Sequence, residues 1–126
     1  MSNRDERLFL QDIADSVKAI LEFTKDLDVD AFARNRLVYS ATIREFEIIG
    51  EATIHLSNEL LSKYDSIAWR DLKDFRNLLI HEYFGIDHQI VWNTIKNDLP
   101  LLNNVVTIMI EDLNVPDKKK GNYDNK

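Results

Sequence analysis

The sequence predicts a single all-α domain, because residues that break regular structure are rare and apolar residues recur at helical spacing. Glycine occurs 3 times and proline 2 times in 126 residues, whereas a β-rich fold needs many tight turns built from such residues. Hydrophobic residues make up 44% of the chain and charged residues 30%, which is typical of a globular protein. We expect four or five helices that pack as a bundle over residues 1–113, followed by a polar, disordered tail over residues 114–126.

The first two predicted helices are long. Apolar residues at three- and four-residue steps, such as Ile13 and Val17, predict an amphipathic helix from about Arg4 to Lys25. A second helix is expected from Asp30 or Ala33 to Leu61. It exceeds the mean length of about 11 to 12 residues, so we expect it to be kinked or split. Gly50 inside it costs about 1 kcal/mol against alanine, which indicates that another helix approaches closely there.

Capping residues and breakers predict where the remaining helices begin and end. Ser66 is expected to cap a third helix that ends near Tyr83–Gly85. Asp87 is expected to cap the next helix, and Pro100 should interrupt or open a final stretch, Leu101–Leu113. Four aromatic residues at helical spacing are expected in the core or at a dimer interface: Trp69, Phe75, Phe84 and Trp92.

Composition excludes several classes of protein and site. The chain has 0 cysteines, which excludes disulfides and thiolate metal sites and favours a reducing cytoplasm. Its charged start predicts no secretory signal, and no apolar run approaches the roughly 20 residues of a membrane span. The histidines do not form a zinc pattern, so we expect no metal and no cofactor. The net charge of −6 argues against broad, non-specific nucleic-acid binding, although a local basic patch remains compatible with it.

One segment places reactive polar groups inside an apolar run. Arg76 can bind a phosphate through two hydrogen bonds, and His81 can move a proton near neutral pH. Tyr83 carries a hydroxyl that can donate a hydrogen bond or accept a modification. An arginine and a histidine beside a phosphodiester suffice for metal-free RNA cleavage, because the ribose 2′-OH supplies the nucleophile. A purely structural His81, hydrogen-bonded at a helix end, explains the spacing equally well.

The helical positions of Arg76 and His81 add a constraint. Residues five apart lie about 140° from each other on an ideal helix, so one helix does not aim both side chains at one point. Either the helix distorts before Gly85, or two copies of the chain bring two such segments together across a two-fold axis. We favour the second solution, because it forms a groove lined by two arginines and two histidines.

Basic residues near this segment allow two interpretations. Arg70, Lys73 and Arg76 repeat every three residues and could form a basic stripe toward RNA. Asp71 and Asp74 lie beside them, however, so a solvated mixed face fits the pattern nearly as well.

Charged residues and histidines outside the segment are assigned mainly to structure. Arg44, Glu47 and Glu51 have the spacing of an intrahelical salt-bridge set, or could instead lie near the groove of Arg76 and His81. His55 and His88 are expected to be surface, capping or hydrogen-bonded histidines rather than ligands.

The run Arg76-Asn-Leu-Leu-Ile-His81-Glu-Tyr83 resembles the Arg-x4-His-x-Tyr motif of the HEPN ribonucleases. It is most similar to the HepT toxins of HepT–MntA toxin–antitoxin systems. The similarity covers about Arg7 to Leu113, and five further segments resemble that family in the same order: Ile48–Ala52, Trp69, Tyr83–Asp87, Val91–Trp92 and Asp98–Pro100.

The resemblance implies a specific function. The chain would be an all-α HEPN dimer and the toxin of a type VII-like pair, cutting RNA such as tRNA or mRNA in the cytoplasm. It would act as a metal-independent endoribonuclease that leaves a 2′,3′-cyclic phosphate. Arg76 and His81 would be the catalytic pair, and Asn77 would orient or bind phosphate. A nucleotidyltransferase antitoxin, MntA, would transfer AMP to Tyr83 and block RNA phosphate from docking.

A second function remains open. The chain could be a non-catalytic helical dimer that serves as a binding partner or scaffold for a nucleotidyltransferase. The net charge of −6 favours this alternative slightly, because an RNA-cutting enzyme gains from a basic groove.

Overall fold

Residues 3–81 and 85–114 are described by a computed structural model, which confirms the predicted all-α class. This part of the chain contains helices and no strand. The residues beyond 114, where we predict the tail, lie outside the described part. Seven helices follow one another: α1 (Asn3–Thr24), α2 (Val29–Arg34), α3 (Arg36–Ile54), α4 (Asn58–Ser62), α5 (Trp69–His81), α6 (His88–Asn97) and α7 (Leu99–Asn114).

The helices pack around one apolar core. α1 lies between α3 and α7, α7 also packs on α6, and the short α2 joins α6 to α3. α5 packs against α3. The largest fully buried side chains come from six of the helices, among them Phe32, Phe46, Leu79, Ile95 and Met109. No helix in the described ranges is long and apolar enough to cross a membrane.

The long second helix of the sequence prediction is split into α2, α3 and α4. Asn35 separates α2 from α3, and its Oδ1 accepts a hydrogen bond of 3.0 Å from the Val38 amide. Ser57 begins α4 in the same way, with its Oγ accepting from the Leu60 amide at 3.1 Å. Glu6 of α1 fixes this second break, because its Oε2 accepts from the Ser57 hydroxyl at 2.7 Å and from the Ser57 amide at 3.1 Å. Polar side chains that bond to backbone amides therefore end one helix and start the next.

The helix that carries the motif begins later than predicted. α5 starts at Trp69, so Ser66 lies in the preceding turn and is not its capping residue. The turn is held by the Trp69 indole, whose Nε1 donates to the Tyr64 carbonyl at 2.9 Å. This fixed turn, rather than a serine cap, sets where α5 begins. The prediction that this helix ends near Tyr83–Gly85 falls mostly outside the described residues, which resume at Gly85.

The start of α6 and the position of Pro100 agree with the sequence. Asp87 caps α6 as predicted, since its Oδ1 accepts from the Gln89 amide at 2.8 Å. Pro100 is the second residue of α7. Proline is tolerated in the first turn, where an amide N–H has no partner within the helix. Pro100 therefore opens the final helix rather than interrupting it.

The aromatic residues contribute to the core as expected. Trp69 and Trp92 are buried, and the Trp92 ring packs on Phe32 with centroids 5.2 Å apart. Phe75 of α5 packs edge-on against Phe46 of α3 at 5.1 Å, which ties the two helices together. Phe84 lies outside the described residues.

Candidate functional site

Arg76 is placed by the close approach of α5 to α3 at Gly50. A Cβ atom built on Gly50 would overlap the Cβ of Arg76 and would lie 2.6 Å from its Cγ and 3.3 Å from the Leu72 carbonyl oxygen. Only a glycine leaves room for the arginine side chain there. The close helix–helix approach predicted at Gly50 is therefore confirmed, and the residue that approaches it is the motif arginine itself.

Two hydrogen bonds hold the Arg76 guanidinium. Nη2 donates to Glu51 Oε1 at 2.7 Å, and Nη1 donates to Asn77 Oδ1 at 3.0 Å. The Arg76 side chain is 27% exposed, so its stem is covered while part of its surface faces solvent. A guanidinium has five N–H donors, and these two bonds use only two of them. As far as the described residues go, the other donors can be shared with an anionic ligand.

Glu51 contacts Arg76 on α5 as well as a histidine at the end of its own helix. Its second oxygen, Oε2, lies 3.1 Å from Nε2 of His55, one helical turn further along α3. The His55 ring stacks on Phe9 of α1 with centroids 4.8 Å apart and an interplanar angle of 14°. The three residues predicted as one intrahelical set are thus divided, with Arg44 and Glu47 forming a separate, longer pair at 3.6 Å.

A groove opens beside Arg76 between α1, α3 and α5. It has a volume of about 370 Å³, within the range of small-ligand sites. The groove is lined on its apolar part by Phe9, Ile48 and Ile80. Five charged side chains also line it, three acidic and two basic, which sum to −1: Asp12, Glu47, Glu51, Arg44 and Arg76. An anion that enters this groove therefore meets arginines that acidic neighbours partly neutralise.

His81 does not share this groove. It is the last residue of α5, it is exposed, and α5 is unbroken from Trp69 to His81. The helix therefore does not distort between Arg76 and His81, and the two side chains leave it about 140° apart. The structure brings Arg76 and Asn77 together but leaves His81 on another side of the helix.

The predicted basic stripe is divided between two grooves. Arg70, Lys73 and Asn77 line a second groove of about 570 Å³ between α4 and α5, whereas Arg76 lines the first. Asp65 and Asp74 also line the second groove, so its charged side chains balance. Residues three apart step about 60° around a helix, which explains why the stripe winds from one groove to the other. Asn77 connects the two grooves, since it lines the second and bonds to Arg76.

Two further assignments concern Tyr83 and metal ligands. Tyr83 lies outside the described residues, so its predicted role stays a prediction. Among residues 3–81 and 85–114, no three histidine, cysteine or carboxylate side chains are grouped so that they could hold a metal ion. The other histidine outside the motif, His88, packs against the Tyr39 ring with centroids 4.4 Å apart.

The sequence did not determine whether Glu51 lies at the site. Its spacing from Arg44 and Glu47 suggests a set within one helix, but its strongest contact is with a residue 25 positions away. The useful signal was the preceding Gly50. A glycine in the middle of a helix indicates that another helix packs closely there. A charged residue beside that glycine can then contact the neighbouring helix.

Comparison with known proteins shows the family to which the chain belongs. The family model described as "Ribonuclease HepT-like" matches residues 13–109. A Methanocaldococcus jannaschii protein named "Putative RNase" is 41% identical over 109 residues, which cover 86% of this chain and 100% of that protein. The "Probable ribonuclease HepT" of Thermococcus cleftensis is 37% identical over 99 residues, 79% of this chain and 90% of that protein.

A third relative has lower identity to this chain. A "Putative RNase" of Caldanaerobacter subterraneus subsp. tengcongensis is 31% identical over 105 residues, which cover 83% of this chain and 94% of that protein. No solved structure matches. With a family model that covers most of the described residues and relatives that align over nearly their full length, this chain belongs to the HepT-like ribonuclease family.

Proposed function

We propose that this chain is a ribonuclease toxin that cuts RNA internally and without a metal ion, as one half of a type VII-like toxin–antitoxin pair in the cytoplasm. The observation that carries the proposal is the placement of Arg76. It is held at the edge of a groove by Asn77 and Glu51, on the same helix as His81. An arginine beside an open groove, with donors that no described residue occupies, is suited to bind a phosphodiester.

The residues supply the chemistry of a transesterification. His81 removes the proton of a ribose 2′-OH, and the 2′ oxygen attacks the adjacent phosphorus. The bond from phosphorus to the 5′ oxygen breaks, the leaving 5′ oxygen takes up a proton from water, and a 2′,3′-cyclic phosphate remains. Arg76 stabilises the negative charge that develops on the phosphorane oxygens. Asn77 orients the phosphate or the guanidinium that holds it.

Two copies of the chain are needed to complete this site. Because α5 is straight between Arg76 and His81, one protomer presents the two groups on different sides of the helix. A two-fold axis that pairs the α5 helices would bring Arg76 of one protomer toward His81 of the other. We therefore propose a homodimer with shared sites.

The second groove is proposed as the path of the RNA away from the cut. Arg70 and Lys73 would contact flanking phosphates, and Asn77 would connect this path to the cleavage site. The two aspartates in the same groove limit its net attraction for RNA, so we expect these contacts to contribute less than Arg76. The solvated mixed face remains the alternative interpretation of Arg70 and Lys73.

Cleavage by the purified protein tests the ribonuclease directly. His81→Ala should lower the cleavage rate about 10²–10⁴-fold, the usual contribution of a general acid or base, and should abolish growth arrest in cells. His88→Ala is the matched control, because it removes a histidine that packs on Tyr39 outside the motif and should leave cleavage intact. Circular dichroism checks that both variants keep their helices. A His81→Ala protein that stays fully toxic would contradict the mechanism.

The proposed regulation is modification of Tyr83 by an MntA-type nucleotidyltransferase. Incubation with that enzyme and ATP should raise the intact mass of the protein by one or more AMP units, and Tyr83→Phe should lose the gain. Tyr64→Phe is the control, because the Tyr64 hydroxyl is engaged by Asp112 and is a poor acceptor. If the mass of the wild-type protein did not increase, the proposed regulation would be contradicted. The ribonuclease activity would then still be tested by the cleavage assay.

A non-catalytic scaffold for the nucleotidyltransferase is the second candidate. The net acidic groove around Arg76 favours it, because an RNA phosphate is better accommodated by a basic surface. Under this function the protein would bind the nucleotidyltransferase, RNA would stay intact, and Arg76→Ala would have no effect.

A further inference from the structure

We propose that Glu51 is a positioning residue that fixes the Arg76 guanidinium in the orientation that meets the scissile phosphate. This inference rests on the proposed ribonuclease function and assigns a role to a residue outside the motif. Glu51 would not touch RNA itself. It would act through the 2.7 Å hydrogen bond that its Oε1 accepts from Arg76.

The backbone arrangement restricts Arg76 at one end of its side chain. Cβ and Cγ of Arg76 pack into the space left by Gly50 on α3, so the first part of the stem has little freedom. The guanidinium lies beyond several further rotatable bonds and would sample many orientations without a partner. Glu51 follows Gly50 directly in α3, so the same stretch that receives the stem also supplies the carboxylate that holds the head.

The carboxylate is itself held from the other side. Glu51 Oε2 contacts His55 Nε2 at 3.1 Å, and the His55 ring lies flat against Phe9 at 4.8 Å. Asn77 accepts from the other terminal nitrogen of Arg76 at 3.0 Å. A chain of contacts therefore runs from Phe9 on α1, through α3, to the guanidinium. Such support restricts the plane of the guanidinium and directs its remaining donors into the groove.

This contact is poorly suited to a role in stability. Glu51 is 51% exposed and Arg76 27% exposed, and ion pairs at such positions contribute little to the free energy of unfolding. An orientation role predicts a different effect. Loss of Glu51 should leave folding nearly unchanged but should reduce stabilisation of the transition state. It should not weaken RNA binding, since a negative charge next to the phosphate site disappears.

Steady-state cleavage kinetics on a short RNA separate these effects. Glu51→Ala should lower kcat about 10- to 100-fold, the range expected when a catalytic group loses its placement, with KM unchanged or lower. Glu51→Gln should recover much of the rate, because its amide oxygen can still accept the hydrogen bond from Arg76. His55→Phe keeps the ring stacking on Phe9 but loses the nitrogen, so we expect a smaller loss of kcat in the same direction.

Glu47→Ala is the matched control. Glu47 lies in the same groove one helical turn earlier and pairs with Arg44, not with Arg76. It removes the same charge from the same groove, so an equal fall in kcat for Glu47→Ala and Glu51→Ala would reduce the role of Glu51 to groove electrostatics and overturn the proposal. A rise in KM without a fall in kcat for Glu51→Ala would overturn it as well.

A measurement without RNA keeps the inference separate from the proposed function. The ¹⁵N relaxation of the Arg76 Nε–H group, assigned by its loss in Arg76→Lys, should show a restricted side chain in wild type and a mobile one in Glu51→Ala. Equal mobility in the two proteins would overturn the positioning role whether or not RNA is cut. A wild-type protein whose Arg76 side chain is restricted but which never cuts RNA would instead contradict the ribonuclease function. The contact of Glu51 with Arg76 would then have no catalytic role.

Discussion

Gly50 shows how a local preference and a tertiary contact can oppose each other at one residue. Within an isolated helix, alanine would be favoured over glycine by about 1 kcal/mol. In the bundle, an added methyl group would overlap the Cβ of Arg76, an atom fixed to the α5 backbone. The Arg76 Cβ cannot move aside without shifting α5. We therefore expect the cost of this overlap to exceed the gain in helix propensity from alanine.

Replacing Gly50 by alanine therefore should destabilise the protein, by about 1–3 kcal/mol as found for overpacked cores, and should also displace Arg76 and reduce RNA cleavage. Urea denaturation of both proteins measures the change in the free energy of unfolding. In an Arg76→Gly background, which removes the opposing Cβ, the same alanine should cost much less. An increase in stability on Gly50→Ala in the wild-type background would contradict the close approach.

The sequence predicts some residues of the site better than others for a physical reason. Arg76, Asn77 and His81 lie within six positions of one helix, so their type and spacing are visible without a fold. Glu51 pairs with a residue 25 positions away, and only the packing of α3 on α5 reveals the pair. Sequence spacing finds contacts along a helix and misses contacts between helices.

At the level of elements, the turn between α4 and α5 is fastened to α7. The Tyr64 hydroxyl donates to Asp112 Oδ2 at 2.5 Å, and the Tyr64 carbonyl accepts from the Trp69 indole at 2.9 Å. Burial first, and the hydrogen bond to Asp112 second, raise the pKa of Tyr64 from 10.0 to about 12. The turn that starts the motif helix thus depends on a neutral tyrosine.

This raised pKa predicts how stability changes with pH. Since the pKa of Tyr64 is higher in the folded state than the ordinary value of 10.0, its contribution is fully present below pH 10 and is lost as the pH rises toward 12. Because Tyr64 is partly exposed and solvent screens its interactions, the loss should be no more than about 1 kcal/mol, and Tyr64→Phe should remove it. Urea denaturation at several pH values in this window measures it, with Tyr39→Phe as the control. Parallel decreases in wild type and Tyr64→Phe would contradict the assignment.

The helix boundaries were predicted where one residue determines them. Asp87 and Pro100 have strong local effects and behave as expected in the structure. The breaks at Asn35 and Ser57 were anticipated only as a kink or split, because the apolar pattern runs on through them. Ser57 depends on Glu6, 51 positions earlier, which no local pattern shows. Ser66 failed as a cap because the contact of Trp69 with Tyr64 sets the start of α5 instead.

For the whole molecule, composition and periodicity were sufficient for the fold class, and the motif was sufficient for the family. They were insufficient for the arrangement of the helices, which places Arg76 in a groove between α1, α3 and α5 while leaving His81 exposed. That separation is the main structural reason for a shared site. The proposed mechanism therefore requires two protomers, each of which would supply one of the two proposed catalytic groups.

Cleavage of a labelled RNA in the presence of EDTA tests this claim most directly, with wild type, Arg76→Ala, His81→Ala and a mixture of the two variants refolded together. We expect that wild type cuts the RNA, that each variant alone is inactive, and that the mixture regains activity, because a mixed dimer would contain one site with both Arg76 and His81. An inactive mixture of correctly formed mixed dimers would contradict the shared site. RNA left intact by wild type, or cut at the wild-type rate by Arg76→Ala, would contradict the ribonuclease itself.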